Sequence, residues 1–282
     1  MSLPLAVILI GLSIYPLVYL LKTSFTDYQM LGMQPTKFVG LSNYSHLLTS
    51  GLFRHSLAIT GAFALSAAIL QMGLGTGLAF LIRSLGRRAQ TVLVLLLIPT
   101  IISPAVVAFQ WVQLFNYQFG PVDYLLTQIG LKPLLWTGSP HQALGSLLLV
   151  DFWEWTPFVM LLVYAGLQSL PEKIFEASAI DGSTRLQTVR FITLPMLKPV
   201  LGIALILRLI GVFKMVATIA VLTNGGPGIA TESVSYYTYV NAFTYFDIGY
   251  SAALAFVQLI IIMLLVKIIL RLMKRPGVRT LA

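Results

Sequence analysis

Residues 176–195 read Glu-Ala-Ser-Ala-Ile-Asp-Gly-Ser-Thr-Arg-Leu-Gln-Thr-Val-Arg-Phe-Ile-Thr-Leu-Pro, a polar and charged segment between two long apolar stretches. Gly182 permits a sharp backbone turn with positive φ or a close backbone approach. Pro195 can restart a helix or fix a turn. The loop 171–198 is therefore predicted to form two short helices around a glycine elbow, which is a rigid surface rather than a plain connector.

The chain on either side of this loop is too apolar to build a soluble surface. Of its 282 residues, 57% are hydrophobic and 10% are charged, and the mean hydropathy is +0.88. Stretches of about 18 residues or more are long enough to cross a bilayer as helices. Six such stretches are present, at about 3–21, 58–82, 91–113, 143–168, 199–222 and 250–272. The sequence thus predicts an all-α membrane protein with six transmembrane helices in one domain, 1–282.

The distribution of basic residues predicts the orientation, because Lys and Arg are retained on the cytoplasmic side. Most of the 18 basic residues fall on one side of the predicted spans. They are Arg83, Arg87, Arg88, Lys173, Arg185, Arg190, Lys198, Lys267, Arg271, Lys274, Arg275 and Arg279. The opposite side has Lys22, Lys37, Arg54 and Lys132. Both termini are predicted to be cytoplasmic, and topology alone accounts for the net charge of +9 without nucleic-acid binding.

The residue types exclude several kinds of chemistry. The sequence has no cysteine, and its three histidines have no metal-ligand spacing, so no metal site is expected. It has no G-x-x-x-x-G-K-[S/T] phosphate loop, and the glycines of 73–77 fall in an apolar stretch without a lysine. These glycines are expected to permit close helix packing. The chain is predicted to be non-catalytic and to draw its energy from another polypeptide.

The polar loop carries a recognisable spacing. Glu176-Ala177-Ser178, then Gly182 after three residues, then Ile192-Thr193-Leu194-Pro195 after nine more, resembles the cytoplasmic loop of bacterial ABC importer membrane subunits. Ser178 stands where that family has a second alanine. The resemblance implies a type I ABC importer permease fold and contact between this loop and ATP-hydrolysing subunits. The coupling residues that it implies are Glu176, Ala177, Asp181, Gly182, Arg185 and Pro195.

Further motifs resemble the carbohydrate, maltose-type branch of these importers. They are Leu222-Thr223-Asn224-Gly225-Gly226-Pro227, Trp155-Thr156-Pro157-Phe158 and Phe246-Asp247-Ile248-Gly249-Tyr250. The resemblance implies a second, non-identical permease, two ATPase subunits that bind ATP and Mg, and an extracytoplasmic binding protein that delivers the substrate. It also implies location in the cytoplasmic membrane of a bacterium or archaeon.

Charged residues within the spans indicate the substrate route, because a charge in hydrocarbon costs about 2.5–3.5 kcal/mol on insertion scales. Asp151 and Glu154 fall in the fourth span and Arg208 in the fifth. The resemblance places sugar contacts near these residues and near Trp155 and Phe158. Carboxylate and guanidinium groups bond hydroxyls, and aromatic faces stack on C–H edges. A purely structural ion pair between Asp151 and Arg208 is an equal alternative.

The predicted function is a membrane subunit of an ATP-driven importer for a sugar, polyol or related small carbohydrate. A glycerol-3-phosphate importer is the first alternative, because Arg208 or Lys214 could meet a phosphate. An ion-coupled secondary transporter would use the carboxylates as ion sites, but six spans without an inverted repeat do not favour it. A receptor or scaffold would not need buried charges.

Overall fold

The computed structural model describes residues 2–32 and 35–274, and this part of the chain is mostly helical. The longer helices are α1 (Ser2–Thr23), α3 (Gly51–Ser84), α4 (Ala89–Ile101), α5 (Pro104–Leu114), α7 (Pro140–Gln168), α10 (Leu194–Val212), α12 (Val234–Phe243) and α13 (Ile248–Lys274). The shorter helices are α2 (Ser42–Thr49), α6 (Pro121–Gln128), α8 (Glu172–Ile180), α9 (Arg185–Gln187) and α11 (Ala217–Leu222). Arg275 and Arg279, which contribute to the predicted orientation, lie outside the described residues.

The all-helical membrane architecture is confirmed, but six uninterrupted spans are not found within residues 2–32 and 35–274. In the described part of the chain, four helices are long and apolar enough to cross a membrane: Gly51–Ser84, Pro140–Gln168, Arg185–Val212 and Ile248–Met273. The bent pair of α4 and α5 makes a fifth span if it is counted as one. Helix α1 has 22 residues, and its part Ile10–Thr23 is apolar but shorter than the other spans.

The span predicted at 91–113 is bent rather than straight. The helical segments on either side of residues 102–103 meet at 92°. Pro99 lies inside α4 and Pro104 begins α5. Proline lacks the N–H that a continuous helix needs, and it forces the preceding residue out of the helical region. Ser103 is accordingly extended, with φ −60° and ψ 135°.

The span predicted at 199–222 is displaced toward the polar loop. The spanning helix already begins at Arg185 and ends at Val212, and α11 follows after a short break. Within this helical stretch Pro195 lies in the first turn of α10, as expected of a proline that restarts a helix. A π-helical turn at Thr188–Thr193 precedes it. The wider hydrogen-bond spacing of a π turn accommodates a local irregularity without ending the helix.

The centre of the fold is the long contact between α3 and α7. A Cβ atom added to Gly75 would lie 2.9 Å from the Cβ of Val159, so glycine is needed for this approach of the two helices. Added Cβ atoms at Gly73 and Gly77 would meet nothing within 4 Å. Of the three glycines expected to permit close packing, Gly75 therefore does so. Helix α10 packs on both α3 and α7, which brings three spans together.

Candidate functional site

A buried polar cluster joins the three central helices. Arg208 of α10 forms an ion pair with Asp151 of α7, and both side chains are about 97% buried. Gln71 of α3 is fully buried beside them. Its Nε2 donates to Asp151 Oδ2 over 2.8 Å and to the Asp151 carbonyl over 3.1 Å. Its Oε1 accepts from Arg208 Nε, so the amide bridges both charges.

The glycine at position 211 leaves room for the Arg208 side chain of this ion pair. A Cβ atom at Gly211 would lie 2.8 Å from an Arg208 guanidinium nitrogen. Burying two charges is costly unless they pair well and their remaining hydrogen-bonding groups are satisfied. The amide of Gln71 supplies both a donor and an acceptor for that purpose. The sequence analysis did not identify Gln71. The feature that could have indicated it is a polar amide side chain within an apolar helix.

Glu154 lies one helical turn beyond Asp151 and has a different environment. Its side chain is 1% exposed, yet neither carboxylate oxygen has a hydrogen-bond partner among the described residues. A buried polar group without a partner is strongly unfavourable. A hydrogen-bond donor that reached Glu154 would therefore stabilise its buried carboxylate.

Two aromatic side chains border the ion pair. The Arg208 guanidinium lies over the Trp155 ring, 5.4 Å from its centroid. Trp155 and Phe158 meet edge to face with their centroids 6.1 Å apart, and both rings are half-buried. The structure thus brings Asp151, Arg208 and Trp155 together and places Glu154 and Phe158 on the same helix beside them. Lys214 is exposed in the break after α10, away from the buried Arg208.

The polar loop forms an exposed elbow. Helix α8 ends at Ile180, Gly182 adopts φ +72°, and α9 begins at Arg185. A capping box fixes the start of α9, because Thr184 Oγ1 accepts from Gln187 N while Gln187 Oε1 accepts from Thr184 N. The coupling residues named from the sequence are all exposed: Glu176, Ala177, Asp181, Gly182, Arg185 and Pro195.

The loop also presents exposed apolar side chains. Ile180, Leu186 and Phe191 are 87%, 76% and 68% exposed. Exposed apolar patches rimmed by polar residues are one form that protein interaction sites take. Ser178 is the buried residue of α8, and its hydroxyl lies 2.8 Å from that of Thr188. The serine that departs from the family alanine thus ties α8 to the π turn.

The Gly-Gly-Pro segment has a clear structural reason. Gly225 has φ +79°, and a Cβ there would lie 2.6 Å from the Tyr236 ring. Tyr236 in turn donates to Asn224 Oδ1 over 2.7 Å. His55 Nε2 donates to the Ile229 carbonyl over 2.9 Å, which ties the segment to α3. Burial raises the pKa of nearby Glu232, and the charge of His55 opposes this shift.

Apolar spans joined by a buried ion pair, with an exposed helical elbow between two of them, define the class as a multi-span membrane protein. Residues 71–275 match the family described as the binding-protein-dependent transport system inner membrane component. The chain belongs to this family, and it is a membrane-spanning subunit of an ABC importer.

Relatives and a solved structure agree with this assignment. The chain is 39% identical to the trehalose/maltose transport system permease protein MalF of Thermococcus litoralis, over 75% of this chain and 70% of the relative. It is 29% identical to the sn-glycerol-3-phosphate transport system permease protein UgpA of Brucella abortus, over 93% and 89% of the two chains. It is similar in fold to a chain of a bacterial ABC transporter involved in the import of the acidic polysaccharide alginate. The TM-score is 0.84 at 20% identity, over 99% and 95% of the chains, and the type I permease fold is confirmed.

The ion pair gives a direct stability prediction. Arg208→Ala leaves Asp151 as an uncompensated buried carboxylate and should lower the free energy of unfolding by about 3–5 kcal/mol. Asp151→Asn combined with Arg208→Gln removes both charges and should recover most of that loss. Unfolding of the purified protein in detergent measures both effects. Lys214→Ala, an exposed charge after the same helix, is the control and should change stability by less than about 0.5 kcal/mol. Equal stability of Arg208→Ala and Lys214→Ala would contradict the role of the pair.

Proposed function

We propose that this permease translocates a sugar, polyol or related small carbohydrate that an extracytoplasmic binding protein delivers. The observation that carries this proposal is Glu154, a buried carboxylate whose oxygens have no partner among the described residues. A carboxylate accepts hydrogen bonds, and a sugar hydroxyl is a suitable neutral donor. The half-buried rings of Trp155 and Phe158 can stack on the C–H faces of the same ligand. A relative named for trehalose and maltose transport supports the same substrate class.

The charge of the cluster favours a neutral carbohydrate over glycerol 3-phosphate. The Arg208 guanidinium is already engaged by Asp151 and Gln71. A phosphate would therefore not meet a free cation at Arg208. The glycerol-3-phosphate alternative rests on the exposed Lys214 and on the relative named for that substrate. The binding-protein-dependent family does not favour an ion-coupled secondary transporter.

The elbow is proposed to fit a cleft in an ATP-hydrolysing partner. Ile180, Leu186 and Phe191 supply exposed apolar contacts, and Glu176, Asp181 and Arg185 add exposed charges on the same loop. Two such ATPase subunits would bind ATP and Mg, while this chain performs no catalysis itself. A second, non-identical permease would complete the membrane domain.

The proposed orientation places the elbow and both termini in the cytoplasm. Exposed Arg87 and Arg185 would lie on that side, with exposed Lys132 on the outside. This assignment follows the retention of basic residues in the cytoplasm. It also puts the apolar elbow surface where nucleotide-binding subunits have access to ATP.

The substrate site is tested with Trp155→Ala, because the loss of this ring removes a stacking surface beside the ion pair. Uptake in reconstituted vesicles should fall about tenfold, equivalent to about 1.4 kcal/mol, while complex assembly and ligand affinity of the binding protein stay unchanged. Trp153→Ala is the matched control, because Trp153 packs edge to face on Trp111, 5.8 Å away. Glu154→Ala should behave like Trp155→Ala. Full uptake by a well-assembled Trp155→Ala or Glu154→Ala variant would contradict the proposed site.

The orientation is tested with single cysteines, for which this chain gives no background because it has no cysteine. Cysteine at Lys132 should react with a membrane-impermeant thiol reagent in intact cells. Cysteine at Arg185 should react after the membrane is permeabilised and not before. Labelling of Arg185→Cys from outside intact cells would overturn the proposed topology.

A further inference from the structure

Arg83 contacts the elbow through an aromatic ring. It lies in the last turn of α3, and its guanidinium carbon is 4.4 Å from the centroid of the Phe175 ring in α8. Both side chains are half-buried. No salt bridge of Arg83 is found within residues 2–32 and 35–274. A guanidinium over an aromatic face at this distance is a favourable cation–π contact.

The neighbouring arginines do not share this contact. Arg87 and Arg88 are exposed beyond the end of α3, and neither is placed over an aromatic ring in the described part of the chain. The three arginines have the same charge and lie within one short stretch. Arg83 therefore stands out by its geometry and not by its contribution to the positive charge of that side.

Helix α3 connects this contact directly to the buried cluster. Gln71 lies twelve residues before Arg83 on the same unbroken helix, which is about 18 Å at 1.5 Å per residue. Between them, Gly75 packs closely on Val159 of α7. At the other end of this stretch of α3, Gln71 hydrogen-bonds to Asp151. One packed helix thus joins Arg83 to the residue that bonds the ion pair.

A second contact connects α8 to the other half of the cluster. The Ser178 hydroxyl is 2.8 Å from the Thr188 hydroxyl, at the start of the helix that carries Arg208. Helix α8 therefore contacts α3 through Phe175, and through Ser178 it contacts the start of the spanning helix Arg185–Val212. These two helices supply Gln71 and Arg208, the two groups that hold Asp151.

We propose that Arg83 is a positioning residue that transmits movement of α8 through α3 to the buried Gln71–Asp151–Arg208 cluster. The inference rests on the proposed docking of the elbow to an ATPase subunit. The contact with Phe175 makes α3 follow α8 when nucleotide binding moves the partner. Loss of the contact leaves α8 docked but releases α3 from it.

The test follows amide hydrogen exchange in the purified complete transporter, with and without ATP, Mg and vanadate. In the unaltered protein, nucleotide should change exchange at least twofold both in α8 and at the cytoplasmic end of α3, residues 76–85. In Arg83→Gln the response of α8 should persist while that of residues 76–85 is lost. Phe175→Leu should do the same, and the double variant should add nothing further.

Matched variants separate transmission from general damage. Arg88→Gln removes the same charge from an exposed arginine and should keep both responses. Phe175→Tyr keeps the ring and should also keep both responses. A response of residues 76–85 that persists in Arg83→Gln, or that is absent from the unaltered protein, would overturn the inference. If no ATPase subunit co-purifies with the unaltered permease, the proposed function itself fails and the inference with it.

Discussion

The ion pair between Asp151 and Arg208 is the constraint on which the central packing depends. A charge within hydrocarbon is costly without a partner, so the pairing of Asp151 with Arg208 favours one register of α7 against α10. Gln71 extends the constraint to α3, because its amide bonds both charged groups at once. The glycine at position 75 then allows α3 and α7 to approach closely enough for the amide to reach. Packing and polar chemistry thus fix the same arrangement of three spans.

The same arrangement explains how a loop at the membrane surface can affect a site inside the bilayer. Two side chains attach the elbow around Gly182 to the spans. Phe175 contacts Arg83 of α3, and Ser178 contacts Thr188 of the π turn. Close-packed helices transmit displacement because their interiors have little free volume. Glu154, which has no hydrogen-bond partner in the described chain, lies beside the point where these helices converge. The proposed substrate contacts and the proposed drive therefore share one set of helices.

The sequence was sufficient for the membrane class, the exposed elbow and three of the continuous spans, because length, hydropathy and a glycine at a polar turn are local signals. Pro99 and Pro104 indicated a bend in the span predicted at 91–113. A span assigned from average hydropathy does not register such a break in the helix. The sequence did not predict that the helix of the 199–222 span begins as early as Arg185, because a polar segment such as 185–193 can continue a helix outside the hydrocarbon. The role of Gln71 could not be predicted, because the sequence does not show which residues of α7 and α10 its side-chain amide contacts.

The central claim is that the elbow drives transport, and the most direct measurement is uptake per ATP hydrolysed in vesicles containing the complete transporter. Gly182 has φ +72°, which proline cannot adopt and which asparagine tolerates. Gly182→Pro should abolish ATP-driven carbohydrate uptake, either by uncoupling hydrolysis or by preventing ATPase binding, while Gly182→Asn retains most of it. Unchanged uptake and unchanged assembly of Gly182→Pro would contradict the account.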